Sequence, residues 1–296
     1  MSAPGPKLSV VLVTPDSYET IRKTIGYLRR QTVCGELELV IVAPGKIGAE
    51  ELPEFCRVQV VEIGAVTTVG RANVAGVRAA TAPVVALAED HAFPEPDWAA
   101  ALIEAHCGPW AAVGPVVRNA NPETAVSRAD FWIGYGPWAE PQPAGPREFL
   151  PGHNSSYKRE RLLAYGDRLE EMLEAETVLH WELRAQGHQL WLEPAARIAH
   201  VNFSRWRTWL GMQFHLGRVF AATRAQHWPL WKRIVFVCGS PLIPLVRLSR
   251  SCQRSPALVI GLTVDGLGQL AGYAAGAGDS APKLAHYEFH REDQQR

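Results

Sequence analysis

The sequence predicts an α/β protein with a mostly parallel β-sheet covered by helices on both faces, followed by a helical region of different character. Up to about residue 200, short apolar segments rich in β-branched residues alternate with segments whose apolar residues recur at helical spacing. The strand segments are too apolar to leave one face in water, which favours parallel strands buried on both sides. Beyond them the chain becomes rich in tryptophan and arginine.

The expected elements follow one another in the order that parallel strands with crossover helices require. Strands are predicted at 8–13, 37–42, 58–63 and 83–88, and helices at 18–31 and 70–80. A helix at 169–187 and a strand at 189–192 follow, and 114–150, rich in proline, glycine and tryptophan, is predicted to be a long ordered loop. These elements are expected to form one domain over 1–202.

Residues 203–275 are predicted to form an amphipathic and apolar helical region that attaches to a membrane surface. Aromatic and basic residues are interleaved over 203–233, as in helices that lie at a membrane interface. The stretch 256–275 is long enough to span a bilayer but carries Asp265 and many small residues, which favours in-plane or re-entrant attachment. A helical subdomain buried in a soluble protein is the alternative. The tail, 276–296, is expected to be polar and mobile.

The bulk composition narrows the possible classes of function. The 296 residues contain 30 basic and 30 acidic side chains, so no net charge attracts nucleic acid and no nucleic-acid partner is expected.

Five widely spaced cysteines without a C-x-x-C pair argue against a zinc ribbon or a disulfide framework and fit a reducing cytosol. The first residues have neither a basic nor an apolar leader segment, so no signal peptide is expected. The segment from Gly64 to Gly76 contains neither of the glycine-rich phosphate loops that characterise dinucleotide enzymes and P-loop proteins.

The residues that carry chemistry begin where the fourth predicted strand ends, at Glu89, Asp90 and His91. In open α/β sheets, ligands bind outside the carboxyl ends of the strands, so these side chains are expected to lie in a crevice. Carboxylate oxygens suit Mg²⁺ or Mn²⁺, and an imidazole shifts the preference towards Mn²⁺. The alternative is that the three residues only form a turn and cap the next helix.

Five segments, in order, resemble those of family 2 glycosyltransferases of the GT-A fold, and the resemblance covers about 8–200. They are the strand at 9–15, GRAN at 70–73, EDH with the following PEPDW at 89–98, GHNSSYKR at 152–159, and LHWELRAQG at 179–187 with the later LWLEP and His200. Their order and separations carry the resemblance, because no single segment is specific. It implies an inverting, metal-dependent enzyme that moves a sugar from a nucleotide-diphosphate donor to a hydroxyl of a lipid-linked, glycan or polysaccharide acceptor. Such an enzyme is expected at the cytoplasmic side of a membrane, where it serves cell-envelope polysaccharide synthesis.

The resemblance also implies roles for particular residues. Donor contacts are expected from Thr14, Pro15, Arg71, Asn73, Glu89 and Asp90, metal ligands from Asp90, His91 and His200, acceptor contacts from His153, Asn154 and Ser155, and general-base catalysis from Glu176. A cation stabilises the charge that builds on the departing diphosphate, and the acceptor hydroxyl must lose its proton to a carboxylate. For His153 and Asn154 a simple turn is the alternative, and for His200 a strand cap. Arg218 and Arg224 are expected to meet either the diphosphate or lipid headgroups.

Three departures from the family pattern bear on function. VAPG at 42–45 replaces the usual aspartate after the second strand, so base recognition must rest on other groups, such as Thr14 and Pro15. The metal motif is Glu-Asp-His in place of Asp-x-Asp, and the base position holds Ala175 and Glu176 in place of Glu-Asp. Each substitution keeps a carboxylate, which favours an active variant. A sugar nucleotidyltransferase and an inactive nucleotide-sugar-binding relative are the alternatives.

Overall fold

A computed structural model of the chain describes residues 5–48, 51–251, 253–289 and 291. It divides the chain into two compact units. The first consists of Met1–Arg118 and Glu140–His200, and the second of Asn119–Ala139 and Val201–Arg296. The sheet belongs to the first unit, and the second is helical in its described part.

The strands are β1 (Leu8–Val13), β2 (Leu37–Ala43), β3 (Arg57–Glu62), β4 (Val84–Ala88), β5 (Ala92–Pro94), β6 (Ala112–Asn119), β7 (Gly145–Arg147), β8 (Ser156–Lys158) and β9 (Leu190–His200). The helices are α1 (Tyr18–Leu28), α2 (Val69–Ala79), α3 (Trp98–Ala105), α4 (Ala125–Tyr135), α5 (Arg159–Leu163), α6 (Leu169–Leu173), α7 (Glu176–Ala185), α8 (Trp206–Ala225), α9 (Leu230–Gly239), α10 (Ile243–Ser249), α11 (Pro256–Ala275) and α12 (Ser280–Glu288).

The sheet is mixed, which corrects the prediction of a mostly parallel one. Its order is β3-β2-β1-β4-β8-β6-β9-β5, with β7 paired to β9. The pairs among β1, β2, β3 and β4 are parallel, as predicted, and all residues of β1, β2 and β4 are buried. The short β8 pairs antiparallel with β4 and β6, and β5 and β7 pair antiparallel with β9. A strand of three residues carries too little apolar pattern to be found from the sequence. The short strands β5, β7 and β8 make the second half of the sheet antiparallel.

Three further predictions about local structure were wrong. The predicted loop at 114–150 contains most of β6, all of α4 and β7, and α4 belongs to the second unit. The predicted helix at 169–187 is interrupted at Ala175, whose non-helical backbone (φ −151°, ψ 77°) separates α6 from α7. The strand predicted to end at residue 192 continues through Pro194 to His200. Pro194 lies between the residues of β9 that pair with β7, which end at Leu192, and those that pair with β5, which begin at Ile198.

The second unit is built around α8 and α11, which approach each other closely. A Cβ atom on Gly268 would lie 2.1 Å from the Phe214 carbonyl oxygen, and one on Gly272 would lie 2.4 Å from that of Arg218. Glycine is required at both positions because any side chain would force the helices apart. Asp265, expected to disfavour a spanning helix, is buried and accepts hydrogen bonds from Arg247 (3.0 Å) and Gln269 (2.9 Å).

Among the described residues, α11 is the one helix long and apolar enough to cross a membrane by length and composition. Within its apolar window 56% of residues are buried inside the protein, as in the core helix of a soluble unit. The tail after Gly276, expected to be mobile, instead forms α12 over Ser280–Glu288, where Leu284 and Ala285 are buried. A short amphipathic segment of this kind gains its order from packing, which the tail's polar composition conceals.

Candidate active site

The loop after β4 carries the first group of site residues, and α1 holds it in place. Thr24 of α1 donates its hydroxyl hydrogen to the carbonyl oxygens of Glu89 (3.1 Å) and Asp90 (2.9 Å). The loop therefore turns over the end of the buried sheet, and the side chains of Asp90 and His91 are themselves buried.

Strand pairing brings His200 to this loop. The antiparallel register of β5 with β9 sets Ala92 opposite His200, so the residue before β5 and the last residue of β9 become neighbours. The imidazole rings of His91 and His200 meet edge to face, with their centroids 4.9 Å apart. His200 therefore ends β9 and at the same time contacts the loop that carries the strand-end acids.

Glu89, His91 and His200 form a group that fits a divalent cation. Glu89 Oε2 lies 3.5 Å from His91 Nε2 and 3.5 Å from His200 Nε2, and one potential ligand atom of each residue lies within 4.8 Å of the others. Glu89 Oε2 and His91 Nε2 are buried without a hydrogen-bond partner among the described residues. Buried polar atoms are normally satisfied, and atoms 3.5 Å apart around a common centre are spaced like the ligands of one metal ion. Two of the three predicted ligands, His91 and His200, thus lie together with Glu89 in a group that could hold a metal ion.

Electrostatics keeps the carboxylate of this group ionised. Burial opposes ionisation of Glu89, but the imidazoles of His153 and His91 outweigh it and hold the pKa of Glu89 well below its usual range. Asp90 Oδ1 lies 2.5 Å from His91 Nδ1 and so leaves His91 Nε2 to face Glu89. A carboxylate on the far nitrogen is the usual device that orients a metal-binding histidine. Asp90, predicted as a ligand, is placed to orient one, and Glu89 takes the ligand position.

Glu176 lies at the same site, as the first residue of α7. The positive end of the helix dipole favours a carboxylate at this position. His153 Nδ1 lies 3.1 Å from Glu89 Oε1 and 3.8 Å from Glu176 Oε1, so one imidazole contacts both acids. A Cβ atom on Gly152 would lie 2.8 Å from Glu176 Oε2, which explains the glycine before His153. The two carboxylates, far apart in sequence, thus meet at His153.

Asn154 presents a buried amide to this region. The Asn154 backbone is left-handed (φ 61°). Its backbone N–H donates to the Leu87 carbonyl oxygen at 2.6 Å, and the backbone N–H of Leu87 donates to the Ser155 carbonyl oxygen at 3.2 Å. The side chain is fully buried, yet neither Oδ1 nor Nδ2 has a hydrogen-bond partner among the described residues. Each such atom costs about 1–3 kcal/mol when left unsatisfied. The Asn154 amide is thus a polar group prepared for a ligand.

We expect Asn154→Gly to separate stability from activity. Glycine adopts φ 61° freely and removes two unsatisfied buried atoms, so the melting temperature should stay constant or rise. Loss of hydrogen bonds to the substrate should lower kcat/KM about 10- to 100-fold. Thermal unfolding and steady-state kinetics on the same preparation measure both quantities.

Asn119→Ala is the matched control for Asn154→Gly, because the Asn119 side chain forms hydrogen bonds with Ser127 and Asn202 within the second unit. Its loss should reduce stability and leave kcat/KM nearly unchanged. A stability loss in Asn154→Gly with normal kinetics would assign Asn154 to the turn alone.

Sequence reasoning missed or left aside two polar residues, Glu174 and His180, that hold the segments next to Glu176. The Glu174 carboxylate accepts a hydrogen bond from Gly70 N (2.7 Å) at the start of α2, where a Cβ on Gly70 would lie 2.7 Å from Glu174 Oε1. Below Glu176, Leu150 N donates to His180 Nδ1 (3.3 Å), which leaves His180 Nε2 to donate to the Tyr157 hydroxyl oxygen (2.9 Å). Burial lowers the pKa of His180 to about 3, so it is neutral. The capping of a helix by a glutamate on a distant segment has no signal in a single sequence.

The remaining predicted site residues make mostly local hydrogen bonds. Thr14 is buried at the end of β1 and donates to Ser17 O (2.7 Å), with Pro15 beside it. Arg71 donates to Ile63 O (3.3 Å), and Asn73 is buried on the same helix. The Ser155 hydroxyl donates to Pro151 O and so shapes the turn that carries His153 and Asn154. Donor and acceptor roles for these residues stay predictions.

Comparison with known sequences decides the family. Residues 9–165, more than half of the chain, match the sequence model described as Glycosyl transferase family 2. The chain belongs to this family. The family 2 match contains Glu89, Asp90, His91, His153 and Asn154, and it ends before Glu176 and His200. Comparison with curated proteins gave no match.

Two solved structures are similar to this member of the family at low sequence identity. The mannosyltransferase PcManGT from Pyrobaculum calidifontis, in complex with GDP-Man and Mn²⁺, is 19% identical with a TM-score of 0.51, over 96% of this chain and 79% of that one. GalNAc-T7 with UDP, GalNAc and Mn²⁺ is 15% identical with a TM-score of 0.48, over 66% of this chain and 43% of that one. The chain thus spans less than half the length of GalNAc-T7. The similarity to PcManGT extends beyond residue 165 and supports the GT-A-like fold.

Proposed function

We propose that this protein transfers a sugar from a nucleotide-diphosphate donor to a hydroxyl group of a glycan, polysaccharide or lipid-linked acceptor, with inversion at the anomeric carbon. The observation that carries the proposal is the meeting of two acidic groups at one site: Glu89 with His91 and His200 on one side, and Glu176 on the other, joined by His153. Family membership and the Mn²⁺ and GDP-Man bound to PcManGT support a nucleotide-sugar donor.

The residues divide the reaction between a leaving-group side and an acceptor side. Glu89, His91 and His200 would hold Mn²⁺, or Mg²⁺, which when bound supplies positive charge to the diphosphate. Glu176 accepts the proton of the acceptor hydroxyl as its oxygen forms a bond to the anomeric carbon. The bond from that carbon to the phosphate oxygen breaks, and its electron pair leaves with the nucleoside diphosphate. A direct displacement of this kind inverts the anomeric centre.

His153 and Asn154 are placed to orient the substrate between these sides. His153 contacts both carboxylates, and the Asn154 amide offers one donor and one acceptor in a buried position. Polar groups fixed before the substrate arrives lose little entropy on binding, which favours a defined orientation of the reacting atoms. The base of the nucleotide has no dedicated aspartate after β2, so we infer that backbone groups near Thr14 and Pro15 contribute to its recognition.

A screen of nucleotide sugars tests the proposal. UDP- and GDP-sugars are added with Mn²⁺, and the melting temperature and the release of nucleoside diphosphate are measured. A true donor raises the melting temperature because it binds the folded state. Nucleoside diphosphate release with an inverted product, determined by NMR of the new linkage, is the expected result. Pyrophosphate release from a nucleoside triphosphate and a sugar phosphate would show a nucleotidyltransferase, and binding without turnover would show an inactive relative.

A further inference from the structure

A long segment of the second unit contains cations but no anions. Between Val201 and Val264 the sequence has no aspartate or glutamate. Its cations are Arg205, Arg207, Arg218, Arg224, Lys232, Arg233, Arg247, Arg250 and Arg254. The whole chain has 30 basic and 30 acidic residues, so this segment departs strongly from the average and carries a local positive charge.

The same segment exposes a large apolar surface on α9 and α10. Neither helix contains a buried residue, although the structure describes every residue of both. The exposed large apolar side chains of α9, of α10 and of the turn that joins them are Leu230, Trp231, Ile234, Val235, Leu242, Leu245 and Val246. Leu230 is 71% exposed, Trp231 67% and Leu245 64%. On α9 the positions repeat at helical spacing and therefore share one face. We name these seven residues the α9–α10 surface.

Cations and aromatic rings lie beside this surface. Lys232 Nζ lies 4.0 Å from the centre of the Trp228 ring, and Arg233 donates to Tyr273 O at 2.9 Å. Arg224 donates to the Tyr273 hydroxyl oxygen at 3.1 Å, next to a cavity of about 270 Å³ that Val235 and Ile243 also line. Apolar side chains flanked by tryptophan and long cations are typical of helices that lie at a lipid interface.

We propose that the α9–α10 surface docks onto an anionic lipid bilayer, with both helices lying in the plane of the headgroups. At 10 and 7 residues, the helices are too short to span a bilayer, which takes about 20. Their apolar side chains enter the acyl boundary, and the neighbouring cations meet lipid phosphates. The cytoplasmic leaflet is rich in anionic lipids, so this surface places the protein at the cytoplasmic side of a membrane.

The charge pattern favours a bilayer over a second copy of the chain. A symmetric dimer sets the same surface of each copy against the other, so the cations around the α9–α10 surface would face like charges. Arg247 pairs with Asp265 at 3.0 Å, just outside the segment, and the segment itself contains no carboxylate for the other cations. A bilayer with anionic headgroups supplies both the apolar phase and the negative charge.

Sedimentation of the full-length protein with vesicles tests the proposal. One set of vesicles contains phosphatidylcholine alone, and the other an equal mixture of phosphatidylcholine and phosphatidylglycerol. We expect at least about tenfold tighter binding to the anionic vesicles, weakened by salt. Replacing Trp231 and Leu245 by glutamate should weaken this binding at least about 100-fold, through lost apolar burial and added negative charge.

Val60→Glu is the matched control, because it places an acid at an exposed apolar position of β3 in the first unit. It should bind vesicles like the unaltered protein. Circular dichroism verifies the folding of each variant, and Trp231→Ser with Leu245→Ser replaces the glutamate pair if that pair fails to fold. Donor turnover, measured on the same samples, distinguishes a failure of this proposal from a failure of the proposed transferase activity.

Four results would overturn the proposal. The first is absence of sedimentation with anionic vesicles, and the second is equal binding by the unaltered protein and the Trp231, Leu245 variant. The third is self-association that the variant abolishes, without vesicle binding, which would assign the surface to a second copy. The fourth is complete release by inorganic phosphate at constant ionic strength, which would assign the cations to a free anion; we expect vesicle binding to stay intact under that condition.

Discussion

Replacing Glu176 by glutamine should lower kcat about 1,000-fold while the affinities for Mn²⁺ and the donor stay near those of the unaltered protein. Glutamine preserves the shape of the side chain at the start of α7 but cannot accept the acceptor proton. The effect should therefore fall on the chemical step and not on binding. Single-turnover transfer, with donor affinity measured by calorimetry, separates the two.

Glu182→Gln is the matched control on the same helix. Glu182 pairs with Arg168 at 2.7 Å on the surface, so the change should leave kcat within about threefold. Transfer by Glu176→Gln within tenfold of the unaltered rate would show that the proton goes elsewhere, and Glu176 would then be a positioning residue for His153.

Loss of any one of Glu89, His91 and His200 should weaken Mn²⁺ binding by at least about 100-fold, because three ligands are brought together at this site. The variants are Glu89→Gln, His91→Ala and His200→Ala, and free Mn²⁺ is measured by electron paramagnetic resonance. Asp90→Asn should have a smaller effect, about 10-fold, because Asp90 contacts His91 Nδ1 and acts on the ion through that ring.

His188→Ala supplies the control for removal of an imidazole from the first unit, and its Mn²⁺ affinity should be unchanged. The order of effects distinguishes ligands from the residue that orients them. Equal Mn²⁺ binding by His200→Ala and the unaltered protein would remove β9 from the metal site. A larger loss in Asp90→Asn than in Glu89→Gln would restore Asp90 as the ligand predicted from sequence.

We propose that the Glu-Asp-His motif serves in place of an Asp-x-Asp motif with a different distribution of roles. The longer Glu89 side chain reaches the two imidazoles, while Asp90 turns back to His91. With two nitrogen ligands and one oxygen ligand, the set favours Mn²⁺ over Mg²⁺. A metal titration with both ions, followed by thermal unfolding, would show this preference directly.

The sequence by itself determined the alternation of strands and helices around β1, β2 and β4, and the position of Glu89 at a strand end. It also determined the family resemblance and the change of character after residue 202. These features depend on local apolar patterns and on the order of short segments. Both can be seen in a single sequence. The acid-free stretch before Asp265 is likewise a property of the sequence alone.

Tertiary structure alone decided which of these residues share a site. The register of β5 with β9 brings His200 to His91, and the break at Ala175 lets Glu176 begin a helix while Glu174 caps another. The tertiary structure also shows that α4 belongs to the second unit and that the exposed apolar face lies on α9 and α10. Pairing between distant segments is set by the free energy of the whole packed fold, and the pattern of any one segment does not contain it.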